Sequence, residues 1–254
     1  PMAISHNPVF NRALQTGVEQ ARLEVSQAAV DAEFAKITSN RKMTVEGTAA
    51  KVVGLFIVLL ATAGATWFFG LTALLFPAML VGLGLGLWAT FSKKVRPGVI
   101  VAYAAAQGVF LGGITSVFEA MYPGIAQNAV LATLSTAGAM FAAYRFGWIK
   151  VNARFTRVMT FALMGYMGFA LINLGVGLFT NSAGAYGTGF GWLIALAGVA
   201  LAAFTLNLDF EAIVVGSREG LPVENEWRAA FGLTASLIWL YVEILRLLSI
   251  FNQD

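Results

Sequence analysis

The chain contains no cysteine and only one histidine, His6. A disulfide framework, a thiolate nucleophile and a cysteine metal site are therefore excluded, and so are bis-histidine haem, histidine metal clusters and Ser-His triads within the apolar part of the chain. Charge is scarce as well. Only 11% of the 254 residues are charged, against 58% hydrophobic, and the mean hydropathy is +0.75. Soluble domains carry about 25% charged residues, so this composition describes a polytopic helical membrane protein. An outer-membrane barrel is excluded because its strands alternate apolar and polar residues, whereas these runs are continuously apolar. The first fifty residues lack an apolar h-region, so no cleavable signal peptide is expected. Pro1 ahead of Met2 is read as an added residue, with the native start at Met2.

The apolar runs set the architecture, since a bilayer span needs about 20 residues at 1.5 Å rise each. Residues 1–50 are polar and mixed in charge, and Val18, Ala21, Val25 and Ala28 recur at helical spacing. They read as a cytoplasmic helical segment over about 10–37. Thr44 is placed to cap the first span, with Glu46 in its first turn. Spans are expected at about 52–69, 73–91, 98–118, 126–143, 158–179, 190–213 and 227–247. The last has an uncharged core of only fourteen residues, Ala229–Val242. It must carry Glu243 into or near the membrane, or else be tilted or re-entrant.

Loop charges orient the spans. Lys93, Lys94 and Arg96 lie between the second and third, Arg145, Lys150, Arg154 and Arg157 between the fourth and fifth, and Arg218 between the sixth and seventh. The other three loops carry no Lys or Arg. The positive-inside rule then puts the N-terminus in the cytoplasm and the C-terminus outside, in the cell membrane. These basic loops account for the pI of 9.3. Orientation is their first role and anionic lipid headgroups their second, and nucleic acid is not implied. Gly82/Gly86 and Gly108/Gly112 have the spacing that lets helices approach closely, and packing within one subunit is their expected use.

Fifty-one uncharged residues run from Val158 to Leu208, and Asp209, Phe210 and Glu211 follow at once. An acid at the centre of a membrane helix costs about 2.5–3.5 kcal/mol on insertion scales, so one is seldom kept without a use or a partner. Asp209 and Glu211 point about 200° apart on a helix. Asp209 is expected to face the bundle and Glu211 to snorkel toward the cytoplasmic surface. Asn207 and Asn173 are candidate groups for satisfying Asp209. Glu243 and Arg246 share a helix face and are placed to pair, and Glu119, Glu224 and Glu226 are expected to be solvated. Asp209 is the only aspartate in any span, so intramembrane aspartyl chemistry, which needs a facing pair, is not expected, and no enzyme is.

Five segments carry a resemblance. Thr205–Gly216 (TLNLDFEAIVVG) resembles the end of the sixth helix of the Bax inhibitor (transmembrane Bax inhibitor motif) family. Glu226–Leu233 (EWRAAFGL) and Leu237–Leu248 (LIWLYVEILRLL) resemble its terminal helix. Gly108–Ser116 (GVFLGGITS) resembles the small-residue segment of the third helix, and Val151–Arg157 (VNARFTR) the basic fourth loop of actinobacterial-type members. The resemblance covers about residues 45–250. It implies an all-α seven-helix bundle with the last helix central, and a pH-sensitive calcium leak gated by two aspartates on helices six and seven.

Asp209 matches the first of these aspartates, while the second falls on Ser236, a departure that removes the two-acid switch in its family form. Glu243 lies on nearly the same face, about 10 Å beyond Ser236, and is a candidate second acid on the pathway. The candidate ion-pathway and pH-sensing set is therefore Asp209, Ser236, Glu243, Asn207 and Glu211. Asp209 would be a weak, transient calcium site, and its protonation would act as the gate. No cofactor is expected beyond calcium as the permeant species. The alternative expectation is a non-conducting regulator that contacts membrane proteins through residues 1–50. Some bacterial members of the resembled family associate with quality-control proteases, and the animal proteins restrain cell death.

Overall fold

The computed structural model describes residues 41–180 and 184–252. The chain divides into two units, Pro1–Lys42 and Met43–Asp254. The expected helix over 10–37 lies outside the described residues, as do residues 1–40 of the expected partner-binding segment 1–50. The second unit is built from helices: α1 Val45–Phe68, α2 Leu75–Phe91, α3 Pro97–Met121, α4 Ile125–Arg145, α5 Ala153–Thr180, α6 Gly191–Arg218 and α7 Asn225–Phe251. Short 3-10 turns, Thr72–Leu74 and Gly184–Gly187, precede α2 and α6. Among the described residues, seven helices are long and apolar enough to cross a membrane.

The helices outrun the apolar windows because a helix ends where its backbone groups find other partners, and lipid does not set that point. α1 begins at Val45, seven residues before the uncharged window opens, as the expected Thr44 cap requires: the Thr44 hydroxyl accepts the Gly47 N–H at 2.9 Å. α3 opens with Pro97 at a first-turn position, where proline costs nothing. α4 and α6 continue into Arg145 and Arg218, cations that complement the carbonyl end of a helix. α7 is one unbroken 27-residue helix, so Glu243 enters the span without a re-entrant turn. Between α3 and α4 the chain reverses at Gly124, whose φ of +90° suits glycine. Glu119 accepts the N–H groups of Gly124 and Ala126 at 2.7 and 2.9 Å, so it caps α4 and is not simply solvated.

α7 packs on α6, α1, α4 and α3, and α3 on α1, α2, α7 and α4. These two helices form the centre, each with 44% of its most apolar window buried, against 6% for α5. The glycine pairs act within the subunit. A Cβ on Gly112 would stand 2.9 Å from the Ala63 Cα, and one on Gly108 would collide with Thr62 and the Leu59 carbonyl. Gly82 and Gly86 receive the side chains of Gln107 and Tyr103. Thus α1 and α2 both seat on α3 through glycine.

The starts of α1 and α7 are tied by Glu226. Its carboxylate, 3% exposed, accepts from the Thr44 N–H at 2.9 Å and the Thr44 hydroxyl at 3.0 Å, and it pairs with Lys51. The expectation that Glu226 is solvated is corrected: the first turn of α7 carries it against the N-terminus of α1, a site of positive partial charge.

Candidate functional site

α6 and α7 meet along a seam of matched spacing. On α6 it runs through Gly198, Ala202, Thr205 and Asp209, and on α7 through Gly232, Ser236, Trp239 and Glu243. Steps of four, three and four residues keep each set on one face of its helix. Each helix contributes one acid and one glycine, and each acid lies over the glycine of the other helix. A Cβ on Gly232 would stand 3.3 Å from Asp209 Oδ1, and one on Gly198 would stand 2.7 Å from Glu243 Oε2. Eleven residues separate acid from glycine on each helix, so the two carboxylates are about 16 Å apart along the seam at 1.5 Å per residue. They are too distant to share a proton or an ion.

The two ends differ in how their acid is satisfied. The Ser236 hydroxyl stands beside the Asp209 carboxylate. Asp209 Oδ2 is buried without a hydrogen-bond partner, and no ion pair among the described residues includes Asp209. Glu243 is 3% exposed and fully engaged. Trp239 Nε1–H donates to its Oε1 at 3.0 Å, and Arg246 donates to both oxygens at 3.0 and 2.9 Å. Arg246 also donates to the Tyr186 hydroxyl at 3.2 Å, with its guanidinium 4.6 Å from that ring. The Tyr186 hydroxyl lies 3.0 Å from that of Tyr166. One end of the seam is thus a satisfied charged cluster, and the other an acid with an unused oxygen.

Asp209 and Ser236 are brought together. Glu243 shares their seam but not their site. Asn207 does not share the seam, since it sits about 200° around α6 from Asp209. It is fully buried, and neither amide atom has a hydrogen-bond partner among the described residues. Glu211 accepts from the Tyr144 hydroxyl of α4 at 2.8 Å, in a cavity of about 510 Å³ that Arg145 and Lys150 also line. Arg145 and Lys150 border the loop between α4 and α5, the side toward which Glu211 was expected to snorkel, and the Tyr144 phenol holds it there. Asn173 accepts the Ala185 N–H at 2.7 Å and so closes the turn before α6 instead of serving Asp209.

No group of three or more His, Cys, Asp or Glu side chains placed to hold a metal occurs among the described residues. Calcium takes six to eight oxygens. Asp209 and Ser236 supply two side chains, a set suited to brief contact with a passing ion and not to a resident one.

The sequence reading missed Gly198 and Gly232, although the shared four-three-four spacing was available to find them. It also missed Tyr166 and Tyr186, for which no local signal existed: Tyr186 lies in a turn, and only tertiary packing carries it to Arg246.

A search of curated proteins finds no match for this chain. The sequence model of the family described as Bax inhibitor 1 like matches residues 7–253. That span takes in all seven apolar helices, Asp209 and the α6–α7 seam. The chain is a multi-pass membrane protein that belongs to the Bax inhibitor 1 like family.

Proposed function

We propose that this protein is a proton-sensitive cation leak pathway of the cell membrane, with calcium as its cargo and the α6–α7 seam as its route. The observation that carries the reading is the unpartnered Oδ2 of Asp209. A buried carboxylate oxygen without a partner is costly in a span, and ionisable groups retained there mark ion or proton pathways. Ionised, Asp209 offers a negative charge to a cation, with the Ser236 hydroxyl beside it as a neutral oxygen donor. Protonated, it offers none, and the helix contact at Gly232 and Ser236 carries no charge. The two protonation states therefore stabilise different arrangements of the seam, and that difference is the gate. Glu243 serves as the second acid of the route, at the end sealed by Arg246, Trp239 and the two tyrosines. In this reading the protein is a transporter with no catalytic centre and no resident cofactor.

The test is calcium flux into proteoliposomes at several pH values between about 6 and 8, wild type beside Asp209→Asn. The expected result is a pH-dependent flux whose pH response disappears in the variant. An unchanged flux and pH response in Asp209→Asn would remove Asp209 from the gate, and no flux in either protein would overturn conduction.

A further inference from the structure

Between α1 and α4 the bundle is open. These helices are not packed against each other, and a cavity of about 830 Å³ lies between them with α3 and α7 as its floor. No charged side chain lines it. Its lining hydroxyls are satisfied within the protein: those of Thr115 and Tyr241 lie 2.9 Å apart, and that of Thr133 donates to the Ala129 carbonyl at 2.7 Å. An apolar volume of this size facing a bilayer is neither wet nor empty, because water finds no partners there and a void forfeits dispersion contacts along its whole lining.

We infer that this groove is a binding site for an acyl chain of a membrane phospholipid. Size and charge select that occupant. A helix about 10 Å across would fill 830 Å³ with only about seven residues, far short of the roughly 20 a partner span would have to seat. The volume does fall within the roughly 300–1,000 Å³ range of small-ligand pockets. An apolar lining with a self-satisfied hydroxyl pair offers nothing to a charged group, so the headgroup remains outside. Gln127 of α4 is an exposed polar side chain in the lining that can serve it. The site is separate from the α6–α7 seam and does not depend on the proposed leak.

Gly64 of α1 lines the groove, and a Cβ there would meet no atom within 4 Å. Gly54, on the same helix but outside the groove, is equally free of neighbours. Gly64→Leu therefore starts a side chain in open space within the groove, and Gly54→Leu is its matched control. The full chain in nanodiscs is photolabelled with phosphatidylcholine carrying a diazirine in one acyl chain. Saturable labelling of α1 and α4 around Gly64 and Val130 is expected. Gly64→Leu should weaken it roughly tenfold, the effect of displacing about two methylenes, and Gly54→Leu should leave it unchanged. Labelling that rises linearly with probe and spreads evenly to lipid-facing residues of α5 would show annular lipid only and overturn the site. So would saturable labelling indifferent to Gly64→Leu.

Discussion

Glu243 of α7 lies against Gly198 of α6, where any side chain would meet its carboxylate at 2.7 Å. The cluster of Glu243, Arg246 and Tyr166 exists because α6 leaves that space. Gly198→Ala is expected to destabilise the protein by about 1–3 kcal/mol, the usual cost of overpacking. Gly84→Ala, whose Cβ would meet nothing within 4 Å, should be neutral or stabilising by up to about 1 kcal/mol. Thermal unfolding in one detergent compares the pair, and equal losses would contradict the assigned contact.

Arg246 is the only cation paired with Glu243 among the described residues. Arg246→Met strands a carboxylate that is 3% exposed and should cost about 3 kcal/mol, as one-sided removal of buried pairs does. Adding Glu243→Gln to that variant should recover most of the loss. With wild type and Glu243→Gln alone, these proteins form a double-mutant cycle, and additive losses would show that the pair is not coupled.

Glu226 joins the starts of α1 and α7. Glu226→Ala should cost about 2–3 kcal/mol, at or below the low end for fully buried pairs because Lys51 keeps access to solvent. Lys51→Met should cost less than Glu226→Ala, since the two Thr44 hydrogen bonds remain. Unfolding midpoints of the two variants test that order, and the reverse order would point to the ion pair and not to the capping contacts.

Ser236 neighbours Asp209 at the position where the resemblance places a second acid. Ser236→Asp brings two carboxyls together in a buried site, where like charges are costly. The variant should be less stable than wild type at neutral pH, and the deficit should shrink on acidification as one proton comes to be shared. A deficit that does not change with pH would mean that the new side chain turns away from Asp209.

The absence of cysteine makes single-cysteine reporters clean. Lys93→Cys should be labelled by an impermeant maleimide only from the cytoplasmic side, and Pro123→Cys only from outside. The reverse pattern would invert the topology and, with it, the leaflet facing the α1–α4 groove.

Much of this was legible in the chain itself. Continuous apolar runs and confined charge dictate seven spanning helices, because lipid tolerates little else. The Thr44 cap, the Glu243–Arg246 pair and the exceptional position of Asp209 follow from spacing along one helix, which is local information. What was not legible depends on which helix faces which. Glu226 looks like a solvated loop acid until α7 begins beneath Thr44, and Asn173 looks like a partner for Asp209 until it closes a turn at Ala185. The Tyr144 phenol that holds Glu211 comes from another helix and leaves no local signal. The reciprocal seating of Asp209 on Gly232 and Glu243 on Gly198 likewise needed the antiparallel register of α6 and α7. Sequence periodicity specifies the face a residue occupies, but only packing decides what that face meets, because contacts between helices join residues far apart in the chain.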